Sequence, residues 1–382
     1  MQNLYNDETA KKYKTDLDLR VYTSNLLGQS DELVLHGGGN TSVKTIIDGE
    51  DILLVKGSGW DLVSIKAEGF APVKLSTLLE MAKLESLSDS NMVSGQKEAM
   101  IDKSAPNPSV EAILHALIPY KFVDHTHADA VVTISNSTMG IENIKKVYPN
   151  FLIVPYVMPG FILAHTIAKM TEGLDWDSID GIILHNHGIF TFDDDAKVSY
   201  TKMIEAVTCA ETFLEQNAKL EYSDINPKEF DIDKLNISEF INVNQTPLAL
   251  TYASQPNLKE KVTRGVLTPE HIIRTKRIPL VLEDSNVADA LEKFKKDYEE
   301  YFKTFSTDEI MLDTNPKYAV IKDFGVVSFG KTQKEVDVIN DVVSHTMMAV
   351  LKADKLGGYK SISLKDSFDM EYWELEQAKL KK

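Results

Sequence analysis

Apolar residues in this chain fall into short runs broken by glycine and into longer stretches at helical spacing. Residues 5–28 alternate charged and apolar positions as an amphipathic helix does. LVLHGGGNTSVK (33–44) joins a short apolar run to a glycine-rich turn, and DILLVKGSGWDLVSI (51–65) repeats that plan. A helix is predicted around 75–87, whereas the polar stretch 88–107 carries no clear period. A second helix is predicted over 107–118, with Asn107 as its cap, Pro108 at its first position and an apolar stripe in SVEAILHALI. KFVDHTH (121–127) reads as a strand leading into the apolar ADAVVTIS. DGIILHNHGIFTF (180–192) reads as two short strands around a His-Gly turn, with a long helix over 195–219.

These elements group residues 1–222 into one domain. The next stretch, 223–262, is rich in Asp, Asn, Ser and Lys, contains Pro227 and Pro247, and reads as a linker. Residues 263–382 form a C-terminal α/β region, with strands expected near 278–282 and 318–329 and helices near 285–303 and 333–354. GIILHNHGIFTF (181–192) and YAVIKDFGVVSFG (318–330) share a strand–turn–strand pattern followed by a charged helix, as a degenerate internal repeat would. In that pairing His187 falls opposite Phe324.

With 382 residues, the chain is long enough for two domains. A formal net charge of -17 disfavours phosphodiester backbones and anionic membranes, so neither nucleic acid nor a membrane is an expected partner. A single cysteine, Cys209, excludes an intrachain disulfide and a cysteine-rich zinc site. The N-terminus is charged and no run of about 18 apolar residues occurs, so a cytoplasmic location is expected.

The histidines point to chemistry. His115, His125, His127, His185 and His187 lie within one stretch, and His125 and His127 are two apart at the end of a predicted strand. Alternate strand residues face one side, so both rings can converge on a point. A pair of core histidines is the competing reading. The second His-x-His pair at 185 and 187 tips the balance to a metal, since three protein ligands and an open position make a catalytic zinc site. Glu111, near the start of its predicted helix, suits either the helix dipole or a general base beside a metal. His115 lies four residues later and, taken alone, reads as a satisfied core histidine. The glycine turns at 37–42 and 56–59, with Asn40, Ser42, Lys56 and Ser58, and Ser109 at a helix start, form three donor-rich turns suited to a phosphate.

Taken in order, GGGNTS (37–42), KGSGWD (56–61), PSVEAILH (108–115), HTHAD (125–129) and HNHG (185–188) resemble the motifs of the class II aldolase and adducin family, over roughly residues 15–220. More closely, LVLHGGGNTSVK, LVKGSGWDL, RGVLTPEHIIRTKR (264–277) and DMEYWELEQAKL (369–380) resemble the aldolase half of bifunctional proteins in which a rhamnulose-phosphate aldolase relative is fused to a short-chain dehydrogenase. The resemblance implies an α/β fold, an αβα sandwich around a mostly antiparallel sheet, with the C-terminal α/β region appended. It implies His125, His127 and His187 as ligands of zinc or another divalent metal, with His185 as a neighbour. Glu111 becomes the acid/base residue. Gly39, Asn40, Ser58, Gly59 and Ser109 match positions that hold a substrate phosphate. Where the aldolases usually carry a second serine before the glutamate, this chain has Val110, which removes one phosphate donor.

The activity implied is retro-aldol cleavage of a ketose 1-phosphate, of L-rhamnulose or L-fuculose type, to dihydroxyacetone phosphate and an aldehyde such as L-lactaldehyde. Tyr148 or Tyr156 is the candidate acid for the aldehyde oxygen. A 4-epimerase or a dehydratase of the same fold, and a non-catalytic adducin-like module, are the rival readings. Glu111, where the epimerases tend to carry aspartate, favours cleavage. A homo-oligomer is implied by the family. No glycine-rich dinucleotide loop follows a strand, so no dehydrogenase activity is expected of this chain, and a separately encoded dehydrogenase is a candidate partner.

Overall fold

The computed structural model describes residues 1–222, 224–283 and 286–380. Ser223 in the expected linker, Ser285 at the start of the expected 285–303 helix, and Lys381 and Lys382 lie outside the described residues. The chain forms two compact units, Met1–Val131 with Ile141–Phe213, and Val132–Gly140 with Leu214–Lys382. Among the described residues no helix is long and apolar enough to cross a membrane.

The first unit is built on seven strands: β1 (Asn40–Ile47), β2 (Glu50–Lys56), β3 (Phe70–Lys74), β4 (Phe122–Thr126), β5 (Phe151–Val154), β6 (Gly181–Leu184) and β7 (Gly188–Asp193). Their order is β3-β2-β1-β4-β7-β6-β5. Only β5 and β6 run parallel. Asp48 and Gly49, with φ of 52° and 82°, supply the two left-handed residues that a tight β1–β2 hairpin requires.

β4 is buried along its whole length and divides the unit into two layers. On one face, Asp124 receives Arg20 of the helix Asp16–Leu27 and Ser199 of the helix Ala196–Asn217. Arg20 also donates to Ser24 Oγ, Thr23 Oγ1 and the Val123 carbonyl, so four of its five N–H groups are used inside the buried site. On the other face, Val123 packs with Leu114, Leu163 and Ile167 from the helices Ala112–Leu117 and Phe161–Met170. The helix Leu75–Ala82 joins that layer through Leu78 and Met81. Helices on both faces of a mostly antiparallel sheet are the αβα sandwich that the motifs implied.

Two local expectations change. The helix predicted over 107–118 forms only at Ala112–Leu117. Pro108 bridges Gly57, Ser58 N donates to Asn107 O at 2.8 Å, and Ser109 N donates to Lys56 O at 3.0 Å. Residues 107–109 therefore pair antiparallel with residues 56–58 at the end of β2, and Asn107 is not a helix cap. The aperiodic stretch 88–107 contains a helix, Asp89–Glu98, capped by Ser88. It buries only Met92 and Gln96, which leaves no apolar stripe to detect.

The second unit holds β8 (Phe240–Asn244), β9 (Leu280–Leu282), β10 (Tyr318–Ile321) and β11 (Gly325–Gly330), in the order β8-β11-β10-β9. The stretch expected as a linker is thus not one. It supplies β8 and the helices Pro247–Ala253 and Leu258–Val262, which bury Ala249, Tyr252, Leu258 and Val262 in the core of this unit. Its polar residues masked elements that are short, five to seven residues each.

The strand order β8-β11-β10-β9 reproduces β4-β7-β6-β5, including one parallel pair at the end, β9 with β10 and β5 with β6. Asn186 and Asp323 take the same left-handed turn, φ 60° and 58°, one residue before His187 and Phe324. His125 lies opposite Phe190 and Val243 opposite Val327, each partner two residues after the turn glycine. On this register the second copy carries Val243, Gln245 and Phe324 where the first has His125, His127 and His187. Gln245 there donates to the Phe324 carbonyl at 3.1 Å.

Arg20→Ala leaves Asp124 buried without its partner and is expected to lower stability by about 3–5 kcal/mol, read by urea unfolding. In the second unit Glu371 accepts a hydrogen bond from Tyr298 at 2.8 Å and lies 3.8 Å from Lys276. Burial raises its carboxyl to about 7, with Lys276 opposing. A carboxyl raised above its unfolded value stabilises fully below that value, near 4.5, and the contribution is lost as pH rises through about 7. Glu371→Gln is expected to flatten that part of the pH–Tm profile; a slope unchanged between wild type and variant would refute the assignment.

Candidate metal centre

The end of β4 and the β6–β7 turn bring three imidazoles together. His125 is paired across the sheet with Phe190 and stacks on its ring, centroids 4.0 Å apart. Its Nδ1 lies 3.0 Å from the Ile189 carbonyl. Only a protonated Nδ1 can bond a carbonyl oxygen, so the lone pair sits on Nε2 and faces away from the strand. His127, two residues on, faces the same way, with its Nε2 3.0 Å from that of His125. His187 is presented by the turn that the left-handed Asn186 closes, where His187 N donates to Leu184 O at 3.0 Å. The ligand atoms of the three histidines all lie within 4.8 Å of one another.

Gly188 makes this approach sterically feasible. A Cβ at that position would overlap the Thr126 carbonyl and come within 2.9 Å of His125 Cε1. Gly39 plays a similar part beside β4, because a Cβ there would meet His125 O at 2.7 Å.

Glu111 stands at the entrance to the helix Ala112–Leu117 and is 6% exposed. Its Oε2 accepts from Asn40 Nδ2 at 2.6 Å and lies 3.4 Å from His125 Nε2. Its Oε1 lies 3.7 Å from His187 Nε2 and has no hydrogen-bond partner although buried. Three imidazole nitrogens and a buried carboxylate oxygen without a partner fit a divalent metal. Tetrahedral zinc asks for neighbouring ligand nitrogens about 3.3 Å apart.

Lys56 sits close by. Burial lowers its ammonium to about 8, against the opposing pull of Asp61 and Glu111, and its Nζ reaches the Gly37 carbonyl at 3.4 Å. Ser58, Gly59 and Ser109 come together on the joined 57–59 and 107–109 loops. Ser58 and Gly59 are exposed, and Gly59, with φ of 87°, has open space beside it. Ser58 N–H is already used by Asn107 O, and Ser109 Oγ accepts from Glu111 N at 3.3 Å.

Three assignments shift. Ser42 does not face this loop cluster; its hydroxyl meets His115 Nδ1 at 2.8 Å in the interior. The amide of Asn40 is engaged by Glu111 and His115, so it supports the carboxylate. Tyr148 is 3% exposed, donates to the Ala206 carbonyl at 2.8 Å, and burial holds its hydroxyl neutral. It is not brought to the histidines. His185, whose Nδ1 meets Asn186 Oδ1, stands beside the cluster, outside the three. The residue whose part was missed is His115, and its i+4 spacing from Glu111 was the available signal.

Residues 20–214 match the class II aldolase and adducin N-terminal domain, and residues 232–380 match the second domain of class II aldolases. The chain belongs to the class II aldolase and adducin family, whose aldolases are metal-dependent lyases. It is 41% identical to the N-terminal class II aldolase domain of a conserved protein from Thermoplasma acidophilum, with a TM-score of 0.52 over 56% of this chain and 99% of that one. It is 29% identical, along its whole length, to an uncharacterized oxidoreductase, YuxG, of Bacillus subtilis (strain 168), and spans 60% of that relative. L-fuculose-1-phosphate aldolase from Thermus thermophilus is a more distant likeness, 15% identical with a TM-score of 0.34 over 52% of this chain and 92% of that one.

Alanine at His125, His127 or His187 is expected to leave bound divalent metal below one equivalent, measured by elemental analysis of the purified protein. Gly188→Ala should do the same through crowding, with circular dichroism unchanged. Tyr148→Phe should keep a full equivalent.

Proposed function

We propose that the chain is a zinc-dependent aldolase. It cleaves a ketose 1-phosphate of the L-rhamnulose or L-fuculose type to dihydroxyacetone phosphate and an aldehyde such as L-lactaldehyde. The observation that carries the reading is Glu111 Oε1, buried without a partner beside three inward-facing imidazoles. His125, His127 and His187 would hold the metal. When bound there, zinc supplies Lewis-acid stabilisation of the negative charge that develops on substrate oxygen as the carbon–carbon bond breaks.

The protein groups divide the remaining work. A base takes the C4 hydroxyl proton as the C3–C4 bond breaks, and Glu111 Oε1 gives one proton to C3, so the substrate loses one proton and gains one. Asn40 holds Oε2 and keeps the carboxylate turned toward the histidines. The substrate phosphate sits against the 57–59 and 109 loops, with Gly59, the Ser58 hydroxyl and Ser109 as its neighbours and the Lys56 ammonium as the nearby cation. Val110 contributes no donor, so that cation carries more of the phosphate charge than in an aldolase with serine there. The enzyme acts in the cytoplasm as a homo-oligomer. A dehydrogenase that consumes the aldehyde is the proposed partner, in keeping with the name and greater length of the Bacillus subtilis relative.

Dihydroxyacetone phosphate should be released from one of the two sugar phosphates with zinc present and not with a chelator. Glu111→Gln should keep its zinc and lose about 10²–10⁴ in kcat. Epimeric ketose phosphates, or loss of water without fragmentation, would replace the aldolase reading with an epimerase or a dehydratase.

A further inference from the structure

We propose that His115 is a positioning residue. It fixes the orientation of the Asn40 amide and thereby decides which oxygen of Glu111 is left for proton transfer. The use made of Glu111 rests on the aldolase reading above; the geometry does not.

His115 is fully buried, and its place is set from several sides. Its N–H donates to Glu111 O at 3.1 Å. Lys44 Nζ donates to its carbonyl at 3.0 Å, and its ring meets the edge of Phe190 at 5.4 Å. Burial holds the imidazole neutral, so one ring nitrogen donates and the other accepts. Nε2 faces Asn40 Oδ1, and Nδ1 faces the Ser42 hydroxyl at 2.8 Å. Asn40 Nδ2 must donate to the Glu111 carboxylate, which leaves Oδ1 to accept from the ring. The proton of His115 therefore sits on Nε2, and the Ser42 hydroxyl donates to Nδ1. Every hydrogen bond in the row Ser42, His115, Asn40, Glu111 points toward the carboxylate.

This row has a consequence for Glu111. A side-chain amide can turn by half a rotation at little cost when nothing distinguishes its two ends. Turned, Asn40 would set its oxygen against a carboxylate oxygen, two acceptors facing each other. The Nε2–H of His115 adds to that penalty, because the turned amide would also set Nδ2 against it, two donors facing each other. Oε2 is then always occupied, and Oε1, toward His187, is always the oxygen without a partner.

The test uses the full-length zinc-loaded protein with His115→Phe, which keeps the ring against Phe190 and removes the donor, and His115→Gln, whose amide restores one. His115→Phe should lower kcat for dihydroxyacetone phosphate release by about 10–100-fold, with KM and zinc content unchanged. His115→Gln should recover most of the loss. His115→Phe should cost nothing further in an Asn40→Ala background, because His115 acts on Glu111 only through Asn40. A residue that merely fills space would give an unchanged kcat in His115→Phe, no rescue by glutamine and additive losses, and any of these overturns the proposal. Nitrogen NMR of wild-type protein, with or without zinc, reads the ring directly and does not depend on activity or on the variants folding. A proton on Nε2 is the expected result, and a proton on Nδ1 overturns the assignment. Absence of product release from wild type, with the proton found on Nε2, would sink the aldolase reading and leave the positioning intact.

Discussion

The buried pairing of Arg20 with Asp124 is the constraint on which the centre depends. β4 must lie in the middle of the sheet, with both faces covered, for its alternate residues to serve two layers. One face of that strand carries a carboxylate with no access to water. Arg20 and Ser199 neutralise and saturate it, and they come from two different helices. Those helices are thereby locked to the strand in register. With one side of β4 held in this way, the residue that follows Asp124 is committed to the opposite side. That residue is His125.

On that opposite side the sheet and the short helix Ala112–Leu117 meet through polar groups as well as through apolar packing. Lys44 reaches from β1 to the carbonyls of His115, Ile118 and Tyr120 at the far end of the helix. There its Nζ donates to carbonyls at the negative end of the helix, although burial lowers its ammonium to about 7. Asn40, four residues earlier on the same strand, grips the glutamate at the near end. The helix is only six residues long and could not fix a carboxylate by its own rigidity. Two contacts from one strand give Glu111 a defined place.

Much of this was legible in the residues. The His-x-His spacing at 125 and 127 predicted convergence because a strand repeats every two residues, and the His-Gly turn marked where a third ring could enter. Elements with strong apolar periodicity, such as Gln333–Lys355, stand close to where the pattern set them. What escaped were features decided by pairing at a distance. Pro108 looks like the first residue of a helix until Gly57 is found opposite it. Ser42 and Asn40 look like phosphate donors because polar residues beside a glycine turn usually face outward. Their pleat on β1 turns them inward to a histidine that the chain supplies more than 70 residues later. Tyr148 was chosen for its chemistry, and only its burial shows that its hydroxyl serves a helix carbonyl.

The repeated strand–turn–strand halves separate two kinds of position within one motif. The left-handed residue before the turn is kept in both copies, as Asn186 and as Asp323, and so is the glycine after it. The ring between them is one of the three clustered imidazoles in one copy and an apolar side chain, Phe324, buried in the core of the other. Fold and ligation are therefore written in adjacent but independent letters. A change of the residue at the crest of the turn adds or removes an imidazole in this architecture, while the backbone beneath it has no reason to move.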